Sequence, residues 1–214
     1  MRHMLNILSL LVVLLLPACG GSDGSSTQPG PGPEPNPPSV TELRSTKARV
    51  TAPAVTSEDA AAFAHDNLAF SIDLYLALRS RDSGNFVYSQ TSISTALAML
   101  YAGAASTTAT EMSDALNFNL PSPRLHAAFN ALEQALTMPL PDNNAAAFEL
   151  AIANSIWIQD GYTVLPIYLD TLAENYGAGL FVQDFSTAPE PARTAINDWV
   201  AFHTEGQIPS LFPQ

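Results

Sequence analysis

Cys19 is the single cysteine in 214 residues. No internal disulfide can brace this chain, and zinc patterns built on paired cysteines are excluded. Cations are nearly as scarce, with 8 Lys and Arg against 20 Asp and Glu, for a net charge of −12. From Asp82 onward only Arg124 and Arg193 stand against thirteen carboxylates. Such a surface offers no electrostatic footprint to nucleic acid or to a heparin-type polysaccharide. The histidines, His3, His65, His126 and His203, fall on separate segments. No two have metal-ligand spacing, and neither H-E-x-x-H nor a phosphate loop occurs, so the expectation is no metal and no cofactor.

Long apolar runs are missing as well. Leu5 to Leu16 is the longest, about a dozen mostly apolar residues, whereas a spanning helix needs about 20. With Arg2 and His3 ahead of it, the run has the make-up of an export signal, residues 1–18. It ends in Leu16-Pro17-Ala18-Cys19, which resembles the lipobox of bacterial lipoproteins. The lone thiol is then the lipidation site, since a cysteine there has no packing role. The expected location is exported and lipid-anchored to the cell envelope, at the outer membrane or cell surface. The folded part would face the periplasm or the extracellular space. Gly20 rather than aspartate follows the cysteine, so no inner-membrane retention signal is expected.

Residues 19–57 read as a tether. Six of the ten residues from Pro29 to Pro38 are proline, behind a Gly/Ser-rich stretch, and such a piece cannot bury enough apolar surface to fold. Gly20-Gly21-Ser22-Asp23-Gly24 matches the G-x-S-x-G of a nucleophile elbow, but that motif needs a strand before it and a helix after it. Within this linker it is a chance match.

Residues 58–214 are the folded part. Ser57 reads as a helix cap, with Glu58 and Asp59 in the first turn, where the dipole favours negative charge. Phe63, Phe70, Leu74 and Leu78 give that helix one apolar stripe. Phe86-Val87-Tyr88 reads as a short strand. After it come the hydroxyls Ser89, Thr91, Ser92 and Ser94, then a helix to Ala102 so apolar all round that it belongs inside the protein. Thr108 and Glu111 have capping-box spacing, and Ser122-Pro123 reads as cap and first turn of a further helix. That helix carries Leu125, Phe129, Leu132 and Leu136 on one face, with Arg124 and His126 expected on the outer one. From Phe148 to Gln159 residues alternate with period two, which predicts a long strand covered on both faces. Pro166 sits in the first turn of a helix reaching Tyr176-Gly177, Leu180 to Phe185 is a strand, and Ala192 to His203 the last helix. The fold class is α+β with an incomplete sheet: the strand from Phe148 is too apolar to lie at a bare edge.

A catalytic reading finds little support. Ser89 is the one serine placed on a strand-to-helix turn, and its helix is expected to be buried. The hydroxyl cluster is more than capping requires, because a helix start uses one or two such groups. Four at the mouth of a buried helix point to a polar network under a sheet whose strands move.

The run from Asn85 to Ala104, NFVYSQTSISTALAMLYAGA, resembles the N-F-x-x-S-P-x-S-I-x-x-A-L-x-M-L-x-x-G-A block of serpins. The likeness continues through Thr108 with Glu111-Met112, Ala153 to Trp157, Tyr176 to Ala178, Asp184-Phe185, and Ile196 to Val200 with Thr204 and Gly206. Upstream, Asn67 to Phe70 with Leu74-Tyr75 is similar to the family's first helix. What the resemblance implies is an inhibitor of serine proteases, and in some cases of cysteine proteases, acting as a suicide substrate. Its cleaved reactive loop enters the central sheet as a new strand, from a metastable native state. Ser89 and Ser92 would occupy the serine positions of the shutter beneath the parting strands, and Asn154 would lie on the sheet's second strand. Gln90 stands where the family usually has proline and is expected to loosen the turn. The last residues, Leu211 to Gln214, follow the family's sixth helix. The strands that would flank the inserted loop and the loop itself have no counterpart, so no reactive-site bond is assignable. The expectation is an N-terminal serpin portion, not an enzyme and by itself inactive. The alternative is a non-inhibitory, serpin-derived binding or structural lipoprotein, or a pseudogene product.

Overall fold

The computed structural model describes residues 40–81, 84–137, 150 and 152–213. The expected export signal, Cys19 and most of the expected tether lie outside the described residues, as do Phe148 and Glu149. The described elements run β1 (Thr41–Leu43), α1 (Ser57–Arg79), α2 (Gln90–Tyr101), α3 (Ser106–Leu116), α4 (Ser122–Thr137), β2 (Ile156–Gln159), α5 (Pro166–Tyr176), β3 (Leu180–Gln183) and α6 (Pro189–His203). Six helices and an incomplete three-stranded sheet make an α+β fold.

The sheet order is β1-β3-β2. β2 and β3 are parallel, with Ile156 opposite Leu180, and the crossover between them is α5. β1 pairs antiparallel to the other side of β3, Thr41 opposite Val182. That corrects the expected tether boundary at residue 57, since a strand already forms at Thr41. Two further expectations change for one reason, the supply of backbone partners. Phe86 to Tyr88 keeps its alternation, with Val87 86% exposed between half-buried neighbours, but no described strand lies beside it. Instead Phe86 and Tyr88 lie along α1, where Tyr88 Oη donates to the carbonyl of Ser71 at 3.4 Å. The long strand from Phe148 shrinks to Ile156–Gln159, because β3 offers only four residues to pair with.

The sheet separates two apolar cores, and strand alternation decides which side chain enters which. Ile156 and Leu180 point to the larger core, among Phe63, Met99, Leu125, Phe129 and Leu172. Trp157 and Phe181 point the other way, to Ile196, Trp199 and Val200 of α6. Each such buried side chain contributes about 1.5–3 kcal/mol relative to exposure. The larger core also holds an edge-to-face pair, Phe63 and Phe129, at 4.8 Å.

Helix ends follow local chemistry with small shifts. Thr56, one residue ahead of Ser57, caps α1, its Oγ1 accepting from the Asp59 amide at 3.1 Å. Asp59 and Glu58 sit in the first turn as expected, and buried Asp59 takes Arg124 from α4 at 2.7 Å. α3 begins at Ser106 without a side-chain cap, so Thr108 is helical rather than capping. The chain reverses at Gly103, where a Cβ would stand 3.2 Å from the Tyr168 ring, and this close turn delivers the helix start two residues early. On α4 the inward face is Leu125, His126, Phe129 and Asn130, rotated from the expected stripe, and Leu136 is 40% exposed.

Candidate functional site

α2 starts where the apolar pattern begins, and Ser89 caps it. Ser89 is extended (φ −104°, ψ 104°), which aims its Oγ at the first helical turn and lets it accept from the Ser92 amide at 3.1 Å. The same hydroxyl donates to Ser92 Oγ at 3.0 Å. Both serines are buried, at 5% and 3% exposure. Ser89 Oγ thus has both a donor and an acceptor, whereas the hydroxyl proton of Ser92 finds no acceptor among the described residues.

Gln90 does not loosen this turn. Its Nε2 donates to Asn67 Oδ1 at 3.1 Å, and Ser94 Oγ donates to the same oxygen at 3.0 Å. Asn67 in turn donates to the carbonyl of Phe63 at 3.0 Å. An amide on α1 therefore fastens the mouth of α2 from the side, and a side chain supplies a bond that a proline could not make. No residue of α2 is exposed, as its all-round apolar pattern requires.

Asn154 lies two residues before β2, on the extended approach to the strand rather than within it. Its Oδ1 is buried and has no hydrogen-bond partner among the described residues. With Thr95 and Met99 of α2 and Trp199 and His203 of α6, it lines a cavity of about 370 Å³. Ser89 and Ser92 do not line this cavity, and no hydrogen bond among the described residues joins them to Asn154. The serines thus meet each other, while the asparagine stands apart with an acceptor to spare. Ser92's spare donor and Asn154's spare acceptor are what strand-flanking groups would offer to further backbone.

Two buried residues, His126 and Tyr176, and the exposed Ser122 were missed as a group. His126, expected on the outer face of α4, is 2% exposed. Its Nε2 stands 3.0 Å from Ser122 Oγ and its Nδ1 2.6 Å from Tyr176 Oη. Burial pulls its pKa down to about 4 and pushes that of Tyr176 well above the usual phenol value, so both are neutral at pH 7. A serine beside a histidine hints at nucleophilic chemistry, yet the third member is a phenol rather than a carboxylate. The imidazole is sealed in the core, and the group ties α4 to α5. Ser89, the expected candidate nucleophile, has only Ser92 at its hydroxyl.

A family model described as "Serpin (serine protease inhibitor)" matches residues 65–214. Leukocyte elastase inhibitor from Equus caballus is 38% identical over 146 residues, and the human protein of that name is 36% identical over 146 residues. Each alignment covers 68% of this chain and 37% of the relative, so the chain spans little more than a third of the relatives it matches. Among solved structures, uncleaved ovalbumin superposes with a TM-score of 0.60 at 28% identity, covering 67% of this chain and 37% of that one. Emu ovalbumin gives the same score over 68% and 40%. The family match covers well over half of the chain and contains the whole Asn85 to Ala104 block with its paired serines: the chain belongs to the serpin family.

Proposed function

We propose that this chain serves a serpin-type inhibitor of serine proteases, in which a cleaved loop enters the central sheet and traps the acylated enzyme. Residues 40–213 supply the base of that device: the buried α2, the Ser89–Ser92 pair at its mouth, and two parallel strands. The observation that carries the reading is that pair, set at the start of a helix with no exposed residue and with no acceptor for Ser92's proton among the described residues, in a chain of this family. The 214 residues alone trap no protease, because none of them matches a reactive loop. The chain is not an enzyme, and it is held at the cell envelope by acyl chains on Cys19.

Incubation with trypsin-, chymotrypsin- and elastase-like enzymes tests the inhibitory part. The 214-residue chain should give no SDS-stable complex, and one clear complex would sink the claim that it is inactive alone. Radiolabelled palmitate should enter the wild-type chain and not Cys19→Ser. Label in the variant would refute the anchor.

A second reading is a non-inhibitory, serpin-derived lipoprotein. One observation favours it: the described residues already enclose two cores and cover one edge of β3 with their own β1. A single cooperative urea transition of the 214-residue chain supports this reading, and a gradual, non-cooperative loss of signal counts against it.

A further inference from the structure

Residues 40–50 lie across the body like a bound peptide. β1 adds to the β3 edge, and the next residues cross α5 and α4. Arg44 donates to the carbonyl of Gly177. Ser45 Oγ donates to Asp170 at 2.6 Å, and Lys47 Nζ stands 3.3 Å from Asp170 and 3.0 Å from Glu174. Arg49 donates to Asn130 at 2.9 Å and meets Glu133 at 3.2 Å. Val50 closes the run in peptide fashion: its amide donates to the carbonyl of Glu174 at 2.9 Å, and its carbonyl accepts from Asn130 at 2.8 Å and Gln134 at 3.0 Å.

The body is shaped to receive this segment. At Gly179 a Cβ would stand 2.6 Å from the Leu43 carbonyl oxygen and 2.5 Å from Glu42 Oε1, and these are segment atoms, not body atoms. At Gly177 a Cβ would stand 3.2 Å from Arg49 Cδ. Beyond Val50 the attachment changes character. Thr51 to Val55 make no hydrogen bond among the described residues, and three of the five are exposed, before Thr56 caps α1. A segment docked through main-chain pairing and ion pairs, joined by a short unbonded hinge, is the arrangement from which identical chains exchange elements. The exchanged contacts equal the original ones, so concentration and hinge strain decide between the two forms.

We propose that the surface formed by β3, α4 and α5 is a docking surface for an extended basic segment. It is filled within one copy by residues 40–50 and, once these swing out about residues 51–55, by the same segment of a second copy of this chain. A bare β3 edge would otherwise invite unspecific strand addition.

The test uses a fluorescent synthetic peptide of residues 38–51, standing in for the second copy, and the 214-residue chain in three forms. The wild type holds its own segment and binds the peptide weakly. Lys47→Glu with Arg49→Glu loosens that segment but leaves the receiving surface intact, and should bind the peptide at least about tenfold more tightly, less so as salt rises. Adding Gly179→Ala to that pair puts a methyl group where the peptide backbone must lie, and binding should vanish. A peptide carrying the same two charge reversals should not bind any form. If the doubly reversed chain loses its tryptophan fluorescence signature, wild-type chain cut at a protease site placed within residues 51–55 carries the measurement. In that form the peptide should displace the severed segment. Equal binding with and without Gly179→Ala overturns the proposed surface. Failure of the peptide to bind either the reversed or the cut chain overturns exchange, and makes the segment a permanent part of the core.

Discussion

Lowering the pH should weaken this fold through His126 in particular. The imidazole is 2% exposed, with a phenol at Nδ1 and a serine hydroxyl at Nε2. No carboxylate among the described residues touches it, so a proton added to the ring would be a buried charge with only dipoles around it. The folded pKa is accordingly about 4, against 6.5 for the free side chain. Because the folded value is depressed, folded His126 stays neutral while the unfolded ring takes up a proton below pH 6.5. Stability is whole above that pH, falls as pH drops toward 4, and levels off below. The interval of about 2.5 units corresponds to ~3 kcal/mol, a large share of the 5–15 kcal/mol of an ordinary domain.

Other groups titrate in the same range, and the assay must cancel them. His203, exposed but packed against Trp199 on one face, is also depressed by partial desolvation and slopes in the same direction. Urea unfolding followed by tryptophan fluorescence, run from pH 7.5 to 4 on wild type and His126→Gln, removes that shared slope by difference. Wild type should be the more stable at pH 7.5, and its advantage should shrink by ~3 kcal/mol at pH 4. A gap that stays constant with pH would refute the argument, since it would mean that the His126 ring titrates in the fold as it does in the unfolded chain.

The remaining predictions concern the site and its surroundings. Ser89→Ala should cost about 1 kcal/mol through loss of the cap and should speed hydrogen exchange in the first turn of α2, whereas Ser92→Ala, which leaves the cap in place, should cost less; equal costs would show that the hydroxyl pair acts as one unit. Asn154→Leu should be neutral or stabilising by up to ~1 kcal/mol in the 214-residue chain, because the buried Oδ1 has no partner to lose. A clear loss of stability by urea titration would show that Oδ1 is bonded. Arg124→Ala should cost about 1–3 kcal/mol even though Arg124 is largely exposed, because it leaves the carboxylate of Asp59 buried and unpaired. Asp59→Asn combined with it should restore part of the loss in a double-mutant cycle.

Helices and the buried α2 were legible because periodicity and turn residues act within one or two turns. Strand extent was not, because a strand needs a partner and the partner's length is set elsewhere: Ile152 to Ser155 alternate as well as Ile156 to Gln159, but β3 reaches only the latter. Ser89 was placed correctly as the start of α2, since capping is local chemistry. His126 was misplaced because the stripe of α4 was read from aliphatic and aromatic residues alone. A histidine with a serine at i−4 and a distant tyrosine to bond is as buriable as a leucine. Asn154 was placed one step too far along, on a strand that begins two residues later.

The least legible part is residues 40–50. They have no apolar period, and behind a proline-rich run they read as more tether. Yet composition alone held a clue. In a chain this poor in cations, each one placed in the folded body has carboxylates to choose from. Arg44, Lys47, Arg49, Arg124 and Arg193 all stand against one, at Glu42, Asp170 and Glu174, Glu133, Asp59 and Glu190. Three of those five fall within six residues of a segment that looks unstructured. A disordered tether would gain nothing from that clustering. A segment that must find α4 and α5, whose surface near it carries Glu133, Asp170 and Glu174, gains both attraction and register. Scarcity thus makes a charge informative: where carboxylates outnumber cations by 20 to 8, a local run of cations marks a place where the chain folds back on itself.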